Sequence, residues 1–164
     1  MNIEKRSLRN NKGFSLVELL VVLAIMAILA AVAIGMFTGV IGSSKSKTDT
    51  YTAAMIKNAI VTYITESNDV DFKYGTATAL GTGATDVNTL VQKLEGTVTI
   101  NSVDYGPYLE QSKDASGALY SITASDCKYC PQGTNNKGWA ITVSKTTLNV
   151  TVTPSTTGSS LSVS

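Results

Sequence analysis

An isolated carboxylate and a pair of closely spaced thiols are the side chains in this sequence best placed to do chemistry. Glu18 lies at the edge of a long apolar run, and Cys127 and Cys130 are separated by two residues. A lone carboxylate in an apolar segment is costly to desolvate, so such a group usually has a function and a partner. Two thiols at this spacing can form a disulfide, remain free, or take part in metal or redox chemistry.

The composition argues against several classes of protein. The chain contains no histidine, which is the commonest general base near neutral pH and the commonest metal ligand. Residues 67–164 contain no recognisable active-site constellation, so we predict no enzyme, no cofactor and no metal site. Nucleic acid is not an expected partner either. The net charge is only +1, and no basic run follows residues 1–13, where four basic residues outnumber Glu4.

The position of Glu18 depends on a long apolar element near the N-terminus. No charged residue occurs from Leu19 to Ser44, which is long enough for a helix to span a bilayer. The basic cluster before this run should remain in the cytoplasm, and residues after it should face outward. A secretory signal peptide is the alternative, since Ala30, Ala31 and Ala33 could imitate its small-residue cleavage site.

The segment around Gly13 carries a specific family resemblance. Residues 12–20 read KGFSLVELL and are followed by a run of Ala, Ile, Leu and Val. This pattern resembles the processing site of type IV prepilins and the related pseudopilins. The resemblance implies that a prepilin peptidase removes residues 1–13 by cutting between Gly13 and Phe14, and that Phe14 is then N-methylated. It also implies a role for Glu18 in filament assembly and in efficient methylation.

Cleavage would give Glu18 a candidate partner. The new amine on Phe14 would lie in an otherwise apolar helix bundle, where a buried ammonium and a buried carboxylate each cost several kcal/mol unless paired. We therefore predict that Phe14 of one subunit pairs with Glu18 of its neighbour during assembly. The alternative is that Glu18 reaches the lipid headgroups from the end of the span, which would leave a filament insensitive to Glu18→Ala.

Three glycines follow the apolar run on one helical face. Gly35, Gly39 and Gly42 are spaced by four and three residues. Many relatives in the pilin family carry a proline near this point, whereas this sequence has Gly35. The glycine face could allow close packing against another helix. It could equally favour local unwinding on assembly, because glycine weakens a helix by up to about 1 kcal/mol relative to alanine.

The helix is predicted to have two halves. Residues 14–42 should form the transmembrane and filament-core half, and residues 43–66 an amphipathic outer half that packs on a sheet. Apolar residues of the outer half recur at helical spacing between charged ones, at Tyr51, Met55, Ile56, Ala59, Ile60, Tyr63 and Ile64.

Residues 67–164 are predicted to form a globular head, so the fold class is α+β, with a long N-terminal helix packed on a small antiparallel sheet. A loop at 67–85 should lead into a short helix at 86–94, capped by Thr85 or Asp86 and ended by Gly96. Strands are predicted at 97–103, 118–124, 139–144 and 148–153. The sheet residues expected to face the helix are Trp139, Ile141, Val143, Ile122 and Leu148.

The two cysteines lie in a polar loop between predicted strands. A thioredoxin-like redox site would instead need a turn between a strand and a helix. A zinc site would lack two ordinary ligands, so Asp126 or a second subunit would have to complete it. A disulfide between Cys127 and Cys130 is the favoured interpretation, with free thiols as the main alternative.

Three functions compete on this evidence. The leading hypothesis is a pilin, a structural subunit that forms a helical homo-oligomeric filament at the cell surface after a precursor stage in the cytoplasmic membrane. A pseudopilin of a type II secretion or DNA-uptake machine is the second hypothesis, and a single-pass membrane enzyme or sensor is the third. The expected partners are the prepilin peptidase, other minor pilins and an assembly platform.

Overall fold

The computed structural model describes residues 14–113, 115–120 and 127–164. The chain divides into two compact units, residues 1–41 and 42–164. The predicted leader with Gly13, and the predicted residues Ile122 and Asp126, lie outside the described residues. The α+β fold class is confirmed, because a long N-terminal helix precedes small antiparallel and mixed sheets.

Helix α1 extends over Leu16–Ser67, close to the predicted extent. Its outer part buries one face, which consists of Asp49, Thr52, Ala53, Ile56, Ala59, Ile60, Tyr63 and Ile64. The prediction that Tyr51 and Met55 belong to this face is wrong, since both are exposed. Each lies two residues from Ala53, or about 200° around a helix of 3.6 residues per turn.

Helix α2 extends over Ala84–Glu95 and buries Val87, Leu90, Val91 and Leu94. The predicted caps are wrong, because Thr85 and Asp86 lie inside the helix and Gly83 is the N-cap residue. The Asp86 carboxylate instead accepts a hydrogen bond from the Gly83 amide at 2.9 Å. The predicted end is confirmed, since the Gly96 amide donates to the Lys93 carbonyl at 3.2 Å.

A short hairpin replaces the single strand predicted at 97–103. Strands β1 (Val98–Ile100) and β2 (Val103–Tyr105) pair antiparallel. Their two linking residues, Asn101 and Ser102, have φ values of 52° and 67°. Two successive positive φ values match a type I′ turn, whose twist suits the two strands that it joins.

A three-stranded sheet in the order β4-β3-β5 follows, made of β3 (Gly138–Val143), β4 (Val150–Ser155) and β5 (Ser160–Val163). The two predicted strands at 139–144 and 148–153 correspond to β3 and β4, which pair antiparallel. Strand β5 was not predicted and pairs parallel to β3. Among the described residues of the predicted strand 118–124, only an isolated bridge is present, between Lys113 and Leu119.

The core of the second unit joins both helices to the sheet. Trp139, Ile141 and Val143 point to the buried side of β3 and belong to the same cluster as the buried face of α1. Leu148 does not, since it is 49 % exposed and has a φ of 52° in the turn before β4. The Trp139 indole donates to the Tyr129 carbonyl at 2.7 Å, so the core also fixes the cysteine loop.

Candidate functional site

Phe14 lies just before α1, and Glu18 lies in the first turn of this helix. The Ser15 carbonyl accepts hydrogen bonds from the amides of Glu18 at 3.0 Å and Leu19 at 3.2 Å, which closes the turn. Unpaired amides give a helix N-terminus a partial positive charge, so a carboxylate in this turn also stabilises the helix. Sequence reasoning overlooked that contribution of Glu18.

Glu18 has no charged neighbour in the part of the helix that surrounds it. It is the only charged side chain from Phe14 to Ser44, and its side chain is exposed. None of the described residues forms an ion pair with it. Phe14 is 84 % exposed. Within residues 14–44, no side chain can therefore serve as a cationic partner for this carboxylate.

The helix that carries Glu18 is apolar and uncovered. Every residue from 14 to 41 is exposed, including Leu, Ile, Val and Met side chains. An 18-residue window of α1 has a mean hydropathy of 3.0, so the helix is long and apolar enough to cross a membrane. Exposing so much apolar surface to water is unfavourable, so lipid or protein must cover it.

A family model for the prokaryotic N-terminal methylation motif matches residues 8–34. The motif supports a type IV pilin or pseudopilin. It confirms the resemblance found in the sequence, implies processing by a prepilin peptidase, and fits a membrane-anchored precursor. It also points to a structural protein rather than an enzyme. No curated protein and no solved structure matches the chain.

The glycines beyond this pilin-type motif lie in unbroken helix. A Cβ atom added at Gly35, Gly39 or Gly42 would meet nothing within 4 Å. The carbonyl of Gly35 accepts a hydrogen bond from the Thr38 hydroxyl at 3.0 Å. The subunit itself therefore leaves this face open, and both close packing and unwinding on assembly stay predictions.

The cysteine loop is tied to the rest of the second unit by several contacts. The Sγ atoms of Cys127 and Cys130 are bonded, and both residues are buried. Between them, the Tyr129 hydroxyl donates to the Glu110 carbonyl at 3.0 Å, and Lys128 pairs with the Glu110 carboxylate. No group of three or more metal-ligating side chains occurs in the described parts of the chain.

Two buried carboxylates that sequence reasoning missed hold the segments on either side of this loop. Asp49 of α1 is 1 % exposed, and its oxygens accept from the amides of Gln132 and Gly133 and from the Asn136 side chain. The burial of Asp49 could have been predicted from the sequence, because Asp49 lies four residues before Ala53 on the apolar face. The partners could not be predicted, since they come from a distant loop.

Glu95, at the end of α2, is the second of these carboxylates. It is 1 % exposed, and Oε2 accepts from the Ser112 amide at 2.9 Å. The Ser112 hydroxyl in turn accepts from the Lys128 amide at 3.2 Å. Burial raises the pKa of Glu95, while the Ser112 amide and the charge of Lys128 oppose that rise.

Proposed function

We propose that this chain is a structural subunit, a pilin, of a type IV pilus-like surface filament. The observation that carries the proposal is the methylation motif at residues 8–34, which continues into a helix whose apolar side chains are exposed along residues 14–41. Such a helix is stable only when its apolar surface is covered, first by lipid and then by the helices of other subunits.

In this proposal, cleavage between Gly13 and Phe14 releases residues 1–13 and creates an amine on Phe14, which is then methylated. The amine pairs with Glu18 of a neighbouring subunit inside the filament core, and neither charge is left unpaired away from water. The subunit passes from the cytoplasmic membrane to the cell surface, with copies of itself, minor pilins and an assembly platform as partners. A disulfide between Cys127 and Cys130 stiffens the exported head.

The first experiment is intact-mass measurement and N-terminal sequencing of protein sheared from cells, beside the same strain without its prepilin peptidase. We expect a mature chain that begins at methylated Phe14 and is absent without the peptidase. A chain that begins at Met1, or one cut near Ala33, would contradict the proposal. Long filaments outside the cell in electron micrographs would separate a pilin from a pseudopilin, which shares the same motif.

The second experiment replaces Glu18 by alanine. We expect the Glu18→Ala chain to be made and cut but not to form filaments, because the Phe14 amine would be buried without a partner. Glu110→Ala is the matched control, since Glu110 is an exposed carboxylate of the head. Normal filaments from Glu18→Ala would favour the headgroup interpretation of Glu18.

A further inference from the structure

The connection between β3 and β4 ends in a tripeptide with a defined pattern. Residues 149–151 read Asn-Val-Thr, and none of the other asparagines in the sequence has a serine or threonine two positions later. The pattern Asn-x-Ser/Thr, in which x is not proline, is the acceptor sequence for N-linked glycans in exported proteins. Serine and threonine are frequent in this chain, so the place of the tripeptide in the fold decides whether it can react.

The fold presents the asparagine and the threonine on one exposed surface. Asn149 continues the ladder between β3 and β4, since its carbonyl accepts from the Ser144 amide at 2.9 Å. Asn149 and Thr151 are exposed, whereas Val150 between them is 1 % exposed and belongs to the core. Alternate residues of an extended chain point to the same side, so an enzyme can reach the Asn149 amide and the Thr151 hydroxyl together without unpacking the core.

The Asn149 amide is also available for reaction. Within the described parts of the chain, no hydrogen bond involves this side chain. The amide of Asn136, by contrast, is occupied, because it donates to the buried Asp49 carboxylate. Residues 145–149 are all exposed, and β4 lies at one edge of the described three-stranded sheet. No strand of that sheet therefore covers the outer side of the tripeptide.

We propose that Asn149 is the acceptor of an N-linked glycan. Its Nδ2 atom attacks the anomeric carbon of a sugar that is activated as a diphosphate ester. The new carbon–nitrogen bond forms as the bond between that carbon and the diphosphate oxygen breaks. The diphosphate carrier leaves with the electron pair, and Nδ2 gives one proton to a base of the transferring enzyme. No oxidation or reduction occurs, so the activated sugar is the only co-reactant.

The site has a use in an exported subunit. This inference rests on the passage of the head to the cell surface in the proposed function, but it does not require that the subunit form a filament. An uncovered strand edge can pair with a strand of another chain. A bulky hydrophilic glycan at Asn149 would cover the start of the β4 edge, and Pro154 already removes one backbone donor from the same strand.

The test is intact-mass measurement of the full chain from its own cells, both from the membrane and from surface shearings. We expect the wild-type chain to exceed the mass of its processed sequence by one glycan, and fragmentation to place that glycan on Asn149. Asn149→Gln and Thr151→Val should lose the added mass completely. Thr151→Ser should keep it, because serine supplies the same hydroxyl.

Asn58→Gln is the matched control. Asn58 is also exposed, but isoleucine lies two positions after it, so this variant should keep the glycan. All three substituted side chains are exposed, so we expect the variants to fold, and equal amounts of processed protein in the membrane check this.

A wild-type chain without added mass on Asn149 would overturn the proposal, as would a glycan that persists in Asn149→Gln or in Thr151→Val. A sugar on a serine or threonine hydroxyl in place of Asn149 would overturn it too. A single sugar would indicate a nucleotide-linked donor and a preassembled oligosaccharide a lipid-linked donor, and both agree with the proposal. A glycosylated chain that never forms filaments would uphold this site and overturn the proposed pilin function, whereas filaments of unmodified chain would do the reverse.

Discussion

Residues 14–41 expose their apolar side chains, whereas residues 42–164 bury most of theirs in a core. Ile28, in the first region, is 66 % exposed, whereas Ile141, in the second, is 1 % exposed. The second region buries its apolar side chains against its own helices and sheet. The first region has no such core within the described chain, so its apolar surface is available for lipid and for other subunits. The packing that stabilises the fold is therefore local to the second region, whereas the first region leaves its apolar side chains uncovered.

The charges follow the same division. Glu18 is exposed and has no cationic partner among the described residues, although it lies in the most apolar part of the chain. Asp49 and Glu95 are buried, and each accepts hydrogen bonds from its own chain. A carboxylate that is satisfied internally holds a fold, whereas one left open in an apolar helix is suited to pairing between subunits.

The largest expected effect comes from making the same substitution, isoleucine to alanine, once in each region. Ile141→Ala should lower the free energy of unfolding by about 4 kcal/mol, because it leaves a cavity in the core. Ile28→Ala should change it by less than about 0.5 kcal/mol, because the side chain has no packed surroundings in the subunit. Chemical denaturation of the purified chain in detergent micelles measures both values. Equal losses would mean that the first region has a core of its own.

The next largest effect is expected at Asp49. Asp49→Ala removes the acceptor for three donors in the segment 132–136, and hydrogen bonds to charged groups contribute about 1.5–3 kcal/mol each. Because water can reach parts of the opened loop, we expect a total loss of about 3 kcal/mol in unfolding free energy. Asp104→Ala, at an exposed carboxylate, is the control and should cost less than about 1 kcal/mol. Equal losses of unfolding free energy in the two variants would show that the buried contacts of Asp49 do not stabilise the fold.

Much of this arrangement could be predicted from local patterns. The apolar run fixed the existence of α1, helical periodicity identified α2, and β-branched alternation located β3 and β4. The motif around Gly13 and Glu18 is continuous in sequence, so one chain suffices to recognise it. These features depend on residues that are neighbours along the chain.

The features that were missed depend on distant residues. Strand β5 is short, and its place beside β3 is set by a crossover that periodicity does not encode. The turn at Asn101 and Ser102 lacks the glycine that usually marks a type I′ turn. Tyr51 was assigned to the buried face from helical spacing, but the buried face is centred on Ala53 and Ile56, and Tyr51 lies about 200° around the helix from Ala53.

Loss of the disulfide in the cysteine loop should lower the unfolding free energy by less than Ile141→Ala or Asp49→Ala does. A bond between Cys127 and Cys130 closes a very short loop, which restricts the unfolded chain by only about 2 kcal/mol. We expect Cys127→Ser combined with Cys130→Ser to lower the unfolding free energy by about this amount and to leave the head folded. A reducing agent should have the same effect on the wild type and none on the double variant. Sensitivity of the double variant to reduction would contradict the disulfide.

The smallest expected effect is a pH dependence of stability that arises from Glu95. Burial raises the pKa of Glu95, so the native state binds its proton more tightly than the unfolded chain does. Between the ordinary carboxyl pKa and the raised one, stability therefore falls as pH rises, and above the raised value the full cost of burying the charge remains. Glu95→Gln removes that charge and keeps an oxygen to accept from the Ser112 amide. The variant should gain stability relative to the wild type as pH rises through this window.

Glu110→Gln provides a control of opposite sign. Lys128 lowers the pKa of Glu110, so this carboxylate stabilises the native state above its ordinary pKa and loses that contribution as pH falls. Relative to the wild type, Glu110→Gln should therefore lose stability as pH rises, whereas Glu95→Gln gains it. Denaturant titrations of the three chains at several pH values measure both slopes. If the stability difference from the wild type changed with pH in the same direction for both variants, the Glu95 charge would be satisfied by its surroundings. Only an uncompensated buried carboxylate makes the native state less stable as pH rises.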